Sequence, residues 1–134
     1  MTNKTPEDVV NTFMSLLVNG SIEHIVDCFS EDGSIDMAGT DEFPWAGHWQ
    51  GKEKLVEYFT VMPAALEMLD HKITSCTSSD SCVALTGTEH GRSRLSGKEY
   101  HAKWAWVFHI TNGKIDFWDA YEDTQAFLNC RPWK

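Results

Sequence analysis

The sequence is poor in positive charge: 11 Lys and Arg stand against 20 Asp and Glu, a formal net charge of −9 over 134 residues. That deficit argues against nucleic acid or an anionic membrane surface as partner, because both need a concentrated positive field. No apolar run approaches the roughly 20 residues of a membrane span. Residues 1–8 lack the apolar core of a secretory leader, so a cytoplasmic protein is expected. Cysteine is limited to Cys28, Cys76, Cys82 and Cys130, with no CxxC pair and no His at zinc-finger spacing. Cys76 and Cys82 could meet across a hairpin turning at Ser78–Ser81, but in a reducing compartment they are two small strand residues. The sequons at Asn3 and Asn19 mean little without secretion. An HExxH pair, a serine nucleophile elbow and a phosphate-binding glycine loop are all missing. Neither a metal nor a cofactor is expected.

What the chain does have is apolar and aromatic mass. It is 42% hydrophobic and 12% aromatic, with six Trp and seven Phe, enough for one sizeable core. No repeat or linker divides it, so residues 1–134 read as a single domain. Thr5-Pro6-Glu7-Asp8 opens a first helix: a hydroxyl cap, Pro at the first helical position and acids in the first turn. Val9, Val10, Phe13, Met14, Leu16 and Leu17 form its apolar stripe, and Asn19-Gly20 ends it. Ser21 caps a second helix carrying Ile22, Ile25, Val26 and Phe29; Ser30–Gly33 then turns into a short strand, Ser34–Met37. Residues 38–51 read as a loop, and Gly51 opens a third helix with Leu55, Val56, Tyr58 and Phe59 inward, disturbed or ended by Pro63. Strands follow at 71–77, 82–90, 99–110 and 115–122, and a short helix around 123–129. Asn112-Gly113 between two apolar runs is a strong hairpin signal, since both residues tolerate positive φ. The fold class is α+β: three N-terminal helices packed on one face of a curved, mainly antiparallel sheet.

Four stretches carry a resemblance: Ser21-Ile-Glu-His-Ile-Val-Asp-Cys-Phe-Ser-Glu-Asp-Gly33, Phe43-Pro-Trp-Ala-Gly-His-Trp-Gln-Gly-Lys52, Ser96-Gly-Lys-Glu-Tyr100, and Asn112-Gly-Lys-Ile115 with Trp118–Asp123. In element order and in these motifs the chain resembles the nuclear transport factor 2-like superfamily, and within it the SnoaL-like polyketide cyclases and relatives of ketosteroid isomerase. The resemblance implies a cone whose helices close a bent sheet around an apolar cavity. It does not carry over the chemistry. The catalytic tyrosine of ketosteroid isomerase falls on Phe13, its base on Met37 and its second acid on Trp106. The aspartate of the SnoaL-type cyclases falls on Ala120 and their histidine on Trp106. For limonene epoxide hydrolase, one aspartate falls on Ala120, the arginine lands near Gly87, and the other aspartate on Glu89.

The same alignment puts Trp104, Trp106 and Phe108 opposite Trp118, Ala120 and Glu122, provided the last hairpin is bulged; a plain two-residue turn would instead bring Lys103 beside Glu122. With Phe13, Met37, Trp45 and the loop residue His48, these side chains would wall a pocket suited to a flat apolar ligand. The alternative is that the indoles fill a collapsed core or a dimer interface. Glu122 and Glu89 are the candidate catalytic groups, since burial raises a carboxyl's pKa and lets it carry protons near neutrality. Against this, Glu122 could be a solvated acid, and Glu89 could pair with Arg92 or Arg94. Asp36 alternates away from the cavity, and His24 and His71 read as surface residues.

Two functions are consistent with this. One is a cofactor-independent isomerase, cyclase or dehydratase acting on an apolar carbonyl compound; the other is a non-catalytic module that binds a hydrophobic metabolite or serves a partner subunit. A homodimer through the outer sheet face is expected, because apolar strand residues occur on both faces. With Phe13, Met37, Trp106 and Ala120 at the positions named, neither Δ5-steroid isomerisation nor epoxide hydrolysis should proceed above background; robust turnover in either assay would refute the alignment.

Overall fold

The computed structural model describes residues 4–134, so the sequon at Asn3 lies outside the described residues. The elements run α1 (Pro6–Asn19), α2 (Ile22–Val26), β1 (Phe29–Met37), β2 (Gly47–Gln50), α3 (Lys52–Ala65), β3 (Leu66–Ser78), β4 (Cys82–Ser93), β5 (Glu99–Thr111), β6 (Lys114–Glu122) and α4 (Thr124–Leu128). The six strands form one sheet in the order β2-β1-β6-β5-β4-β3. Only β1 and β6 pair in parallel; the other neighbours are antiparallel. Among the described residues no helix is long and apolar enough to cross a membrane, and the four cysteines are free thiols.

The helix starts follow from local chemistry. Thr5 and Asp8 form a reciprocal capping box on α1, the Thr5 hydroxyl accepting from the Asp8 amide at 3.1 Å and the Asp8 carboxylate from the Thr5 amide at 3.2 Å. The Ser21 hydroxyl accepts the His24 amide at the start of α2. α1 buries Val9, Val10 and Phe13, and α3 buries Leu55, Tyr58 and Phe59. Val56, expected inward, is 44% exposed; at roughly 100° per residue it sits about 100° round the helix from the middle of the face that Leu55, Tyr58 and Phe59 bury. Pro63 sits in the last turn of α3 and is accommodated there, with the helix running on to Ala65.

Four segments differ from the sequence reading. Phe29 belongs to β1, not α2, since it lies beside Ile115 of β6. Ser30–Gly33 is an irregular bulge within that strand rather than a turn before it, the register slipping between Phe29 and Ser34. His48, Trp49 and Gln50 form strand β2 instead of a loop because β1 offers them an edge. β3 also begins earlier than expected, directly at the end of α3.

Inward residues alternate along the central strands. Val83, Leu85, Gly87 and Glu89 on β4 face the helices with Tyr100, Ala102, Trp104, Trp106 and Phe108 on β5 and Trp118 and Ala120 on β6. Phe13 of α1 sits at the centre of this layer, with the rings of Phe29, Phe108 and Trp118 5.3–5.6 Å away in edge-to-face contact.

Candidate functional site

The last hairpin decides what the pocket contains. Asn112 and Gly113 adopt φ of 52° and 76°, the left-handed pair of a two-residue type I′ turn. Thr111 opposes Lys114 and Ile110 opposes Ile115, after which the register slips. His109 opposes Phe117, so Asp116 is the extra residue of a bulge. Both turn geometries weighed from the sequence are therefore present in succession. Beyond the bulge, Trp104 faces Glu122, Trp106 faces Ala120 and Phe108 faces Trp118. Lys103 lies on the opposite face, away from Glu122.

A pocket of about 400 Å³ opens between α1, α3 and the inner sheet face. The exposed Val18 and Met68 mark its mouth, with Met14, Leu17 and Met62 beside them. Met37, Trp45, Phe59, Trp106, Trp118 and Phe127 form its walls, and its titratable groups are Tyr58, His71, Glu89 and Glu122.

Glu89 is 5% exposed. It pairs with no arginine; the Tyr100 hydroxyl donates to its Oε2 at 2.8 Å, while Arg92 binds Glu67 and Glu99 and Arg94 donates to the Pro63 carbonyl. Two glycines make that arrangement possible. A Cβ at Gly91 would stand 2.4 Å from the Tyr100 hydroxyl, and one at Gly87 would stand 2.2 Å from the Trp104 ring. The inward sequence Gly87, Glu89, Gly91 thus presents one carboxyl between two recesses, each filled by a ring from β5.

Glu122 differs in its surroundings. It is only half-buried as a residue, yet its Oε2 is enclosed and without a hydrogen-bond partner. Burial raises its pKa well above the ordinary value, and the neighbouring Glu89 charge raises it further. The Trp106 indole N–H opposes this weakly, without reaching hydrogen-bonding geometry. Burial also lifts Glu89, to about 7, against the pull of the Tyr100 hydroxyl. The two carboxyls titrate as a pair. Because a hydroxyl stabilises the anion at Glu89 and nothing donates to Glu122, the first negative charge settles on Glu89.

Several candidates sit elsewhere. Phe13 and Phe108 are fully buried behind the pocket wall, in the packed core. Trp104 is packed behind Trp106, their rings stacked at 4.0 Å, and Ala120 lies in the sheet between Met37 and Trp106. His48 is on exposed β2, bonded to Asp36 on the outer face and to Gln50 at 3.2 Å; the Asp36 carboxylate raises its pKa. It does not line the pocket, because β2 pairing turns it outward with Asp36. Sequence reasoning missed His71, which is not a surface residue. It lies opposite Glu89 in the β3–β4 register and so faces inward. It also passed over Tyr100, although that residue shares the alternation of Trp104 and Trp106. Among the described residues, no cluster of three or more His, Cys, Asp or Glu is placed to hold a metal ion.

Burying Glu89 has a thermodynamic consequence. Its folded pKa lies above its unfolded one, so the folded protein binds this proton more tightly. The resulting stabilisation is complete below the unfolded value of 4.5 and is lost as pH rises to about 7. Glu89→Gln should therefore be more stable than the wild type at pH 8, by on the order of 2–3 kcal/mol, and nearly equal to it at pH 4.5. Urea unfolding at the two pH values measures this; an equal difference at both would show that Glu89 is not held protonated by the fold.

No curated protein sequence matches the chain. Solved structures do. A nuclear transport factor 2-like protein from Burkholderia xenovorans superposes with a TM-score of 0.85 at 18% identity, covering 96% of this chain and 98% of that one. A candidate isomerase from Bacillus subtilis gives 0.77 at 15% identity, covering 92% and 89%. A candidate polyketide cyclase from Pseudomonas putida gives 0.75 at 18%, covering 95% and 98%. At these identities the likeness is one of fold. The SnoaL-like domain family matches residues 10–118, and with that match the chain belongs to the SnoaL-like domain family.

Proposed function

We propose that this protein is a cofactor-independent enzyme that moves a proton on an apolar, carbonyl-bearing substrate, as an isomerase, cyclase or dehydratase. One observation carries the reading: Glu89 and Glu122 enter the same aromatic pocket with opposite hydrogen-bonding surroundings. Two carboxyls whose environments separate their proton affinities divide the roles of base and acid. Glu89, its anion held by Tyr100, takes the proton from the carbon next to the carbonyl. The C–H electron pair moves into the enolate, whose oxygen receives a hydrogen bond from protonated Glu122. Trp106 stands beside Glu122 with its own N–H unpartnered and adds a second donor to that oxygen. Glu89 then returns the proton to the same carbon or to a conjugated one. The aromatic walls orient a flat substrate and exclude water.

A simple probe tests this. Exchange of the α-protons of 2-indanone in D2O, followed by proton NMR, should be accelerated by the wild type. Glu89→Gln should slow it by about 10²–10⁴-fold, the usual worth of a positioned general base, and Glu122→Gln should slow it less. The wild-type rate should rise with pH to a plateau above about 7, as Glu89 ionises. Exchange no faster than in buffer would leave the other reading, a binding module that holds an apolar metabolite without turning it over.

The outer sheet face supports the expected homodimer. Val107, Phe117 and Tyr121 present apolar surface there beside His109 and Asp119. Sedimentation at micromolar concentration should give twice the chain mass; a monomer would refute this.

A further inference from the structure

His71 and Tyr58 are the titratable groups of the pocket that the proton-transfer reading leaves without a task, and of the two His71 is the one with an enclosed, unpartnered polar atom. Its strand, β3, is exposed along nearly its whole length. His71 departs from that pattern, with its Nε2 enclosed and without a hydrogen-bond partner. Two rings hold it: it stacks on Trp104 at 4.8 Å and 13°, and leans over Trp106 at 5.2 Å and 30°. The stack is possible because Gly87 gives the Trp104 ring its place over β4. Stacking fixes the imidazole plane and leaves Nε2 without a hydrogen-bond partner. An apolar ring would pack here without the penalty of a buried, unpaired nitrogen. His71 also lines the pocket that holds Glu89 and Glu122.

Building on the proton-transfer reading, we propose that His71 determines specificity by hydrogen-bonding a hydroxyl group on the substrate, separate from the reacting carbonyl. The hydroxyl is chosen on chemical grounds. Burial lowers the pKa of His71 and keeps it neutral, with Asp70 on its own strand working weakly the other way. The titratable groups sharing its pocket are Glu89 from β4, Glu122 from β6 and Tyr58 from α3. A neutral imidazole has one donor nitrogen and one acceptor. A carbonyl matches only the donor and an ammonium only the acceptor, whereas a hydroxyl matches either tautomer. The substrate class is therefore a flat apolar ketone carrying a hydroxyl.

Tryptophan-fluorescence titrations with 2-indanone and 5-hydroxy-2-indanone test this. The wild type should bind the hydroxylated probe about threefold to tenfold more tightly, the worth of one hydrogen bond. The preference should vanish in His71→Phe, which keeps the stacked ring, and return in part in His71→Gln, which restores a polar group at the Nε2 position. In 15N-labelled wild type, the His71 ring nitrogens should shift on adding 5-hydroxy-2-indanone and stay unmoved with 2-indanone. That measurement decides the matter alone if His71→Phe does not fold. Equal affinities in the wild type, a preference that survives in His71→Phe, failure of both probes to bind, or unmoved His71 resonances would each overturn the proposal. The hydroxyl preference without any α-proton exchange would support the His71 contact and overturn only the proton-transfer reading.

Discussion

The pairing register between β5 and β6 governs the rest of this molecule. Side chains alternate across a strand, so a slip of one residue would carry every inward group of β6 to the outer face. The bulge at Asp116 sets that register. It turns Trp118, Ala120 and Glu122 inward, opposite Phe108, Trp106 and Trp104. Without the bulge, Phe117, Asp119 and Tyr121 would face the helices, and the pocket would lose a wall and one of its two carboxyls. The turn itself, Asn112-Gly113, allows the hairpin but does not choose between these outcomes.

Having brought two acids into an aromatic enclosure, the fold must keep them there. Neither Glu89 nor Glu122 has a cationic partner among the described residues. Burial therefore acts unopposed by ion pairing, and the proton remains the cheapest counter-charge. The Tyr100 hydroxyl breaks the symmetry by stabilising the Glu89 anion. Gly91 gives that hydroxyl its room. A site of this kind costs stability at neutral pH, which is the usual relation between a strained functional site and the fold that carries it.

The family resemblance and the site coincide at Glu89 and otherwise point to different residues. Positions where relatives carry acids, tyrosine or histidine are here Phe13, Met37, Trp106 and Ala120, all apolar and all buried. One acid lies nearby instead: Glu122 is two residues beyond Ala120 on the same strand face, while Glu89 stands where the resemblance puts an aspartate of limonene epoxide hydrolase. Shifting a carboxyl by two positions preserves its face and moves it about one layer along the strand. The scaffold is retained while the polar groups occupy different layers of one pocket, which is how a single fold hosts unrelated chemistries.

The helix caps, the stripes of α1 and α3, the hairpin at Asn112-Gly113 and the α+β class were legible in the sequence, because each rests on neighbours within a few residues. The inward sets Trp104, Trp106 and Phe108 on β5 and Trp118, Ala120 and Glu122 on β6 were read from the sequence too, and they placed Trp106, Trp118 and Glu122 against the pocket. Local signals could not place Phe29 in β1 or His48 in β2, since both depend on strands distant in the chain. Nor could they show that His71 faces Glu89, because two slips in the β3–β4 register, between Met68 and Asp70 and between Ile73 and Ser75, separate the sequence pattern from the pairing. Composition alone determined that the chain would bury a large aromatic core under an excess of acid. Only the tertiary structure decided which acids go inside, because that depends on register across strands, and register is fixed by bulges that cost one residue and leave no periodic trace.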